Sequence, residues 1–300
     1  MERTLRNRLT FGPLMLMALG MILWVDFAAE SWTRSLHPGG IKGIGVLVLL
    51  LITLPPATIE LAMLFAAERV RPYRLIAASG SNLLCLHAWA TQFTAFQNIS
   101  TSVLAFVIVF VMIFAALRRA WVRQTQEAIV HMAGTVLATL YLGGLSWFLM
   151  ALRVKTTDPM RQGHHWGGGT TMTVLTILLV VKSTDIGAFF GGRKFGKHKL
   201  IPWLSPGKTW EGLFFGVLTS ALVAAACAGG IELFPWWKGL IFGAVIGAIG
   251  QAGDLLESLM KRDAEVKDSG RLIPGFGGIL DVIDSPLFAA PFAYLLFSLF

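Results

Sequence analysis

Apolar residues run through this chain in long blocks separated by short polar segments. Nine such blocks cover residues 9–27, 44–67, 75–93, 102–117, 128–152, 170–190, 212–231, 240–258 and 279–300. A helix needs about 20 mostly apolar residues to cross the hydrocarbon core of a bilayer. The pattern therefore predicts an all-α, polytopic membrane helical bundle with about nine transmembrane helices. No internal repeat or low-complexity linker interrupts it. Arg3, Arg6 and Arg8 precede the first block, as they would in a signal peptide. The block is long and the rest of the chain equally apolar, so it reads better as a retained first span.

Composition agrees with this pattern. Of the 300 residues, 55% are hydrophobic and 14% charged, and the mean hydropathy is +0.67. A soluble domain carries about 25% charged residues. The net charge of +8 would suit a nucleic-acid binder, but its distribution argues otherwise. With nine spans and a cytoplasmic N-terminus, 18 Lys and Arg fall in inside segments and six outside, with Lys182 within a span. That asymmetry is the positive-inside signature of a membrane protein, with no call for nucleic acid. It places two polar loops, about 191–211 and 259–278, on one cytoplasmic face. Residues 1–168 then read as N-terminal spans and 169–300 as a catalytic membrane region. Cys85 and Cys227 lie in apolar runs with no pairing pattern.

The chemistry gathers around those two loops. Asp185 lies at the inner end of a span, where a carboxylate is costly unless paired; Lys182, three residues away, is one partner in reach. Glycine and cations fill residues 191–199, with Arg193 and Lys197 among them. Ser205-Pro206 predicts a helix start, with serine as N-cap and proline at the first position. Lys208 would then sit in a first turn, where a cation opposes the helix dipole and points to anion binding. Gly207-Lys208-Thr209 is not a P-loop, because Pro202 stands where that motif requires glycine.

In the second loop, Asp254, Glu257, Ser258 and Lys261 fall at helical spacings and share one face. Pro274-Gly275 and Gly277-Gly278 mark a tight turn, and Asp281 and Asp284 follow, three apart. Carboxylates without clustered His or Cys favour a hard cation such as Mg²⁺. Acids and cations on one face match nucleotidyl transfer. His87 and His131 read as core histidines and His164-His165 as loop residues, while Glu60 is an intramembrane acid with no partner evident in the sequence.

At these residues the chain resembles the phosphatidate cytidylyltransferase family. Its signature is met by Ser258, Lys261, Arg262, Lys267, Asp268, Pro274, Gly275, Gly277, Gly278, Asp281 and Asp284. An upstream segment is met by Asp185, Gly192, Arg193, Gly196, Lys197, Ser205, Pro206, Lys208, Thr209, Glu211 and Gly212. The resemblance covers residue 182 to the end. Phe276 stands where the family has histidine, and Val282 where it has arginine, so no role of those two residues carries over.

The resemblance implies attack of a phosphatidate oxygen on the α-phosphorus of CTP, giving CDP-diacylglycerol and pyrophosphate. It implies Mg²⁺ held by Asp254, Asp281 and Asp284, with Lys261, Lys267 and Asp268 also in the catalytic set. Substrate contacts would come from Asp185, Arg193, Lys197, Ser205, Lys208, Thr209, Glu211, Ser258 and Arg262. It further implies a homodimer, and the basic loops place the active site at the cytoplasmic face of the cell inner membrane. Two other readings fit parts of the pattern. A CTP-dependent lipid kinase would use similar acids and lysines but transfer the terminal phosphate. An ion-coupled transporter would use Asp185, Asp254 and Glu60, but predicts inverted repeats that the chain lacks.

Overall fold

The structure is a computed structural model and describes residues 2–37, 39–67, 70–123, 125–155, 169–230 and 233–300. His164 and His165, named above, lie outside the described residues.

The elements in chain order are helices α1 (Glu2–Trp32), α2 (Ile44–Ala67), α3 (Arg74–Ala90), α4 (Thr94–Gln97), α5 (Ser100–Trp121), α6 (Ala128–Thr139) and α7 (Leu145–Lys155), then α8 (Gly169–Phe195), strands β1 (Lys199–Ile201) and β2 (Ser205–Thr209), and helices α9 (Trp210–Gly230), α10 (Trp236–Asp263) and α11 (Leu280–Leu299). A single π turn, Leu140–Gly144, joins α6 to α7 in one apolar stretch. Among the described residues, eight helices are long and apolar enough to cross a membrane. This is a multi-pass, all-α membrane protein.

The count differs from nine at the third block. There α3 has only 17 residues, which rise about 25 Å, short of the ~30 Å hydrocarbon core. Its polar positions Ser79, Ser81, Asn82 and His87 also lower its hydropathy.

The described residues group into two compact units, residues 1–155 with 263–283, and residues 156–262 with 284–300. In the first, α3 packs against α2, α5, α6 and α7. Small residues make this approach possible: Ala77, Gly80, Ser81 and Ala88 are all buried. Its histidine is tied into the core, with the Trp147 indole N–H donating to His87 Nδ1 at 2.9 Å. A buried ion cluster joins α1 to α7. Arg153 is fully buried, pairs with Asp26, and donates to Glu30 Oε1 at 2.6 Å. Asp26 also accepts the Val46 N–H at 3.2 Å.

In the second unit, α8 and α9 pack along most of their length. Gly239, Gly243 and Gly247 form a stripe at four-residue spacing on α10. A Cβ at Gly243 would come within 2.6 Å of the Ala221 Cα. That closeness lets the Ser220 hydroxyl donate to the Gly243 carbonyl at 2.9 Å. Helix α10 is thereby held on α9 with its C-terminal turns projecting the polar residues that follow.

Candidate active site

The last turns of α10 present Gln251, Asp254, Glu257 and Lys261 at spacings of three, three and four, one stripe of the helix. Asp284 from α11 meets this stripe. One carboxylate oxygen from each of Asp254, Glu257 and Asp284 lies within 4.8 Å of the others. Glu257 and Asp284 are 1% and 2% exposed. Such charges repel strongly away from bulk water and are stabilised by cations nearby.

Among the described residues, two lysines form ion pairs with the cluster. Lys208, reaching from β2, pairs with Asp254, and Lys261 Nζ lies 3.3 Å from Glu257 Oε2. Asp284 Oδ1 accepts the Ser285 hydroxyl at 3.2 Å, while its buried Oδ2 has no hydrogen-bond partner among the described residues. Oxygen donors throughout, with Asp284 Oδ2 lacking a hydrogen-bond partner among the described residues, fit a hard divalent cation. At the edge of the cluster, Gln251 donates to Asp185 Oδ1 at 2.8 Å, and Lys182 lies 3.7 Å from Asp185 Oδ2. The sequence-predicted pair of Asp185 and Lys182 is present, but Asp185 is also tied to the acidic stripe through Gln251.

The expected helix start at Ser205-Pro206 is corrected by the structure. Ser205–Thr209 is a strand, paired antiparallel with β1 through Lys199–Thr209 and Ile201–Ser205. The helix begins four residues later, where Thr209 Oγ1 accepts the Gly212 N–H at 3.1 Å and caps α9. Lys208 thus lies on a strand, not in a helical first turn, and its dipole argument lapses. What directs it is the ion pair with Asp254. Glu211, in the first turn of α9, accepts the N–H groups of Lys197 (3.1 Å) and His198 (3.2 Å) and the His198 ring Nδ1–H (2.6 Å). It fixes the glycine-rich loop against the hairpin. Arg193, Lys197 and Arg262 are exposed, and Ser205 and Ser258 are half-buried.

The remaining motif residues belong to the first unit. Lys267 and Asp268 are exposed. Asp281 accepts the N–H of Gly278 at 2.7 Å and of Ser269 at 3.1 Å, which closes the Pro-Gly-x-Gly-Gly turn. Gly275 and Gly277 hold φ of 88° and 105° there, conformations that a side chain would strain. Phe276 is 39% exposed at the tip of that turn.

Glu60, which had no partner in the sequence reading, is the buried support of this loop. It accepts the N–H of Ile279 (3.1 Å), the N–H of Leu280 (2.8 Å) and the Ser269 hydroxyl (3.2 Å). It thereby satisfies free N–H groups at the N-terminus of α11. The only signal in the sequence was its presence within a span. Glu257 was likewise not among the expected metal ligands, although its spacing from Asp254 placed it on the same face.

The model of the cytidylyltransferase family matches residues 40–300. A phosphatidate cytidylyltransferase of Staphylococcus epidermidis is 47% identical over 124 residues, 41% of this chain and 48% of its own length. An uncharacterized Escherichia coli protein, YnbB, is 37% identical over 158 residues, 53% of this chain and 49% of its own. Phosphatidate cytidylyltransferase 5, chloroplastic, of Arabidopsis thaliana is 33% identical over 239 residues, 74% of this chain and 57% of its own. The chain spans about half the length of the curated bacterial relatives it matches.

Proposed function

Because the chain belongs to the cytidylyltransferase family, we propose that it is a phosphatidate cytidylyltransferase, converting CTP and phosphatidic acid to CDP-diacylglycerol and pyrophosphate. The observation that carries this reading is the convergence of Asp254, Glu257 and Asp284 with Lys208 and Lys261 at one place in a membrane-spanning unit. Nucleotidyl transfer asks the protein for positioning and for charge that offsets a triphosphate.

A phosphate oxygen of phosphatidate bonds to the α-phosphorus of CTP as the bond from that phosphorus to the pyrophosphate oxygen breaks. The electron pair leaves with pyrophosphate. Asp254, Glu257 and Asp284 would hold Mg²⁺, which supplies Lewis-acid neutralisation of the phosphate oxygens. Lys208 and Lys261 are shielded from water, with 19% and 13% of their side-chain surface exposed. Their charges act more strongly there than at an open surface. Arg193, Lys197 and Arg262 are exposed and attract the nucleotide from solution. Glu211 holds the loop that carries Lys197. The lipid tails stay in the bilayer while the head group meets CTP.

On the nine-span reading, in which the third block also crosses, the preference of basic residues for one set of loops supports a site at the cytoplasmic face of the inner membrane. The family resemblance supports a homodimer.

The test uses purified protein with phosphatidic acid, Mg²⁺ and CTP labelled at either the α- or the γ-phosphate. Label from the α position should enter the lipid phase and disappear in Asp254→Asn. Label from the γ position instead would establish the lipid-kinase reading, and no lipid label from folded protein would refute both.

A further inference from the structure

The first unit contains a cavity far in character from the acidic cluster. It has a volume of about 1020 Å³ and opens between α2, α3 and α5. Three arginines line it: Arg71 in the segment before α3, Arg74 at the first position of α3, and Arg118 in the last turn of α5. All three are exposed, and none forms an ion pair among the described residues. Tyr73 lies between the first two, and its hydroxyl is buried without a hydrogen-bond partner among the described residues.

The rest of the wall is apolar. Leu75, Phe114 and Leu117 are exposed at 84%, 43% and 57%, and Trp121, 85% exposed, stands at the end of α5. Tryptophan at a helix end is characteristic of the membrane–water interface. The cavity therefore joins a cationic rim, an unpartnered phenol and a surface suited to acyl chains. Loop arginines that only oriented the spans would require neither the enclosed hydroxyl nor the concave apolar wall.

We propose that this cavity binds an anionic glycerophospholipid. Its phosphate lies between Arg71, Arg74 and Arg118 and accepts from the Tyr73 hydroxyl, and its chains lie along Leu75, Phe114 and Leu117. Guanidinium groups suit phosphate oxygens because they present paired N–H donors. The site is separate from the acidic cluster in its residues and independent of the reaction proposed above.

The test uses phosphatidylglycerol, which lacks the phosphomonoester that the proposed reaction consumes. Delipidated protein in neutral detergent is incubated with phosphatidylglycerol or phosphatidylcholine, each alone and with inorganic phosphate as competitor, and retained ligand is measured by native mass spectrometry. The parent should retain phosphatidylglycerol above phosphatidylcholine, and Arg71→Gln/Arg74→Gln/Arg118→Gln should lower that retention by about tenfold. Tyr73→Phe, which removes one hydroxyl and no charge, should lower it severalfold. Equal retention of phosphatidylglycerol by parent and triple variant overturns the proposal. So does full displacement of the lipid by inorganic phosphate, which would make the cavity a site for free anions.

Discussion

Glu60 Oε2 accepts the backbone N–H of Leu280 at 2.8 Å across 220 residues of sequence. A carboxylate from the second helix thus caps the last one and also holds Ser269 in the loop between. Replacing it by glutamine keeps the shape but turns one acceptor into a donor facing N–H groups. Glu60→Gln should destabilise the protein by about 1–3 kcal/mol. It should also reduce CTP-dependent lipid labelling more than the lowered melting temperature explains. Parent-like melting and labelling would show that the cap is dispensable.

The same contact sets the requirement at Gly278. A Cβ there would land on the Ser269 hydroxyl and 2.7 Å from the Glu60 carboxyl carbon. Neither neighbour can withdraw without giving up its own hydrogen bonds. Gly278→Ala should therefore cost about 1–3 kcal/mol and disrupt the turn. Gly20→Ala, where the added methyl meets nothing within 4 Å, should be neutral or stabilising. Thermal unfolding of the two variants side by side decides this. Equal behaviour would contradict the packing described for the loop.

Arg153 offers a test of the first unit alone. It is fully buried between Asp26 and Glu30. Arg153→Met removes the cation and strands two buried acids, a loss of about 3–5 kcal/mol. Adding Asp26→Asn and Glu30→Gln should recover much of it, because neutral groups are less costly to bury. Denaturation in mixed micelles measures both. A single variant as stable as the parent would mean that the cluster contributes nothing net.

The fold was largely legible because membrane helices are written in composition, one block at a time. The exception, α3, fell short through its serines, asparagine and histidine, which a count of blocks does not weigh. Within the site, Asp254, Glu257 and Lys261 were legible as one stripe, since helical spacing is local information. The arrival of Asp284 beside them is not, because it depends on how α11 packs. Ser205-Pro206 misled for a related reason. Its local grammar is that of a helix start, while the pairing of Thr209 with Lys199 is a nonlocal fact that overrides it. Glu60 was opaque because its partners are backbone N–H groups, which carry no residue identity.

The acidic cluster gives the sharpest prediction. Asp284 has one buried oxygen without a hydrogen-bond partner among the described residues, and Asp254 and Glu257 lie on the other helix of the cluster. If these three hold Mg²⁺, Asp284→Asn and Glu257→Gln should each raise the Mg²⁺ concentration for half-maximal labelling by about tenfold or more. Chelation should abolish labelling reversibly. Activity alone would not separate metal loss from a misplaced substrate. The second readout is therefore the rise in melting temperature with Mg²⁺ in the absence of CTP, which follows from preferential binding to the folded state. The parent should show that rise and both variants should lose most of it. Asp185→Asn, whose carboxylate is joined to Gln251 and Lys182, should keep it. An undiminished Mg²⁺ response in both cluster variants would place the metal elsewhere, and loss in Asp185→Asn alone would move it to the α8 side of the cluster.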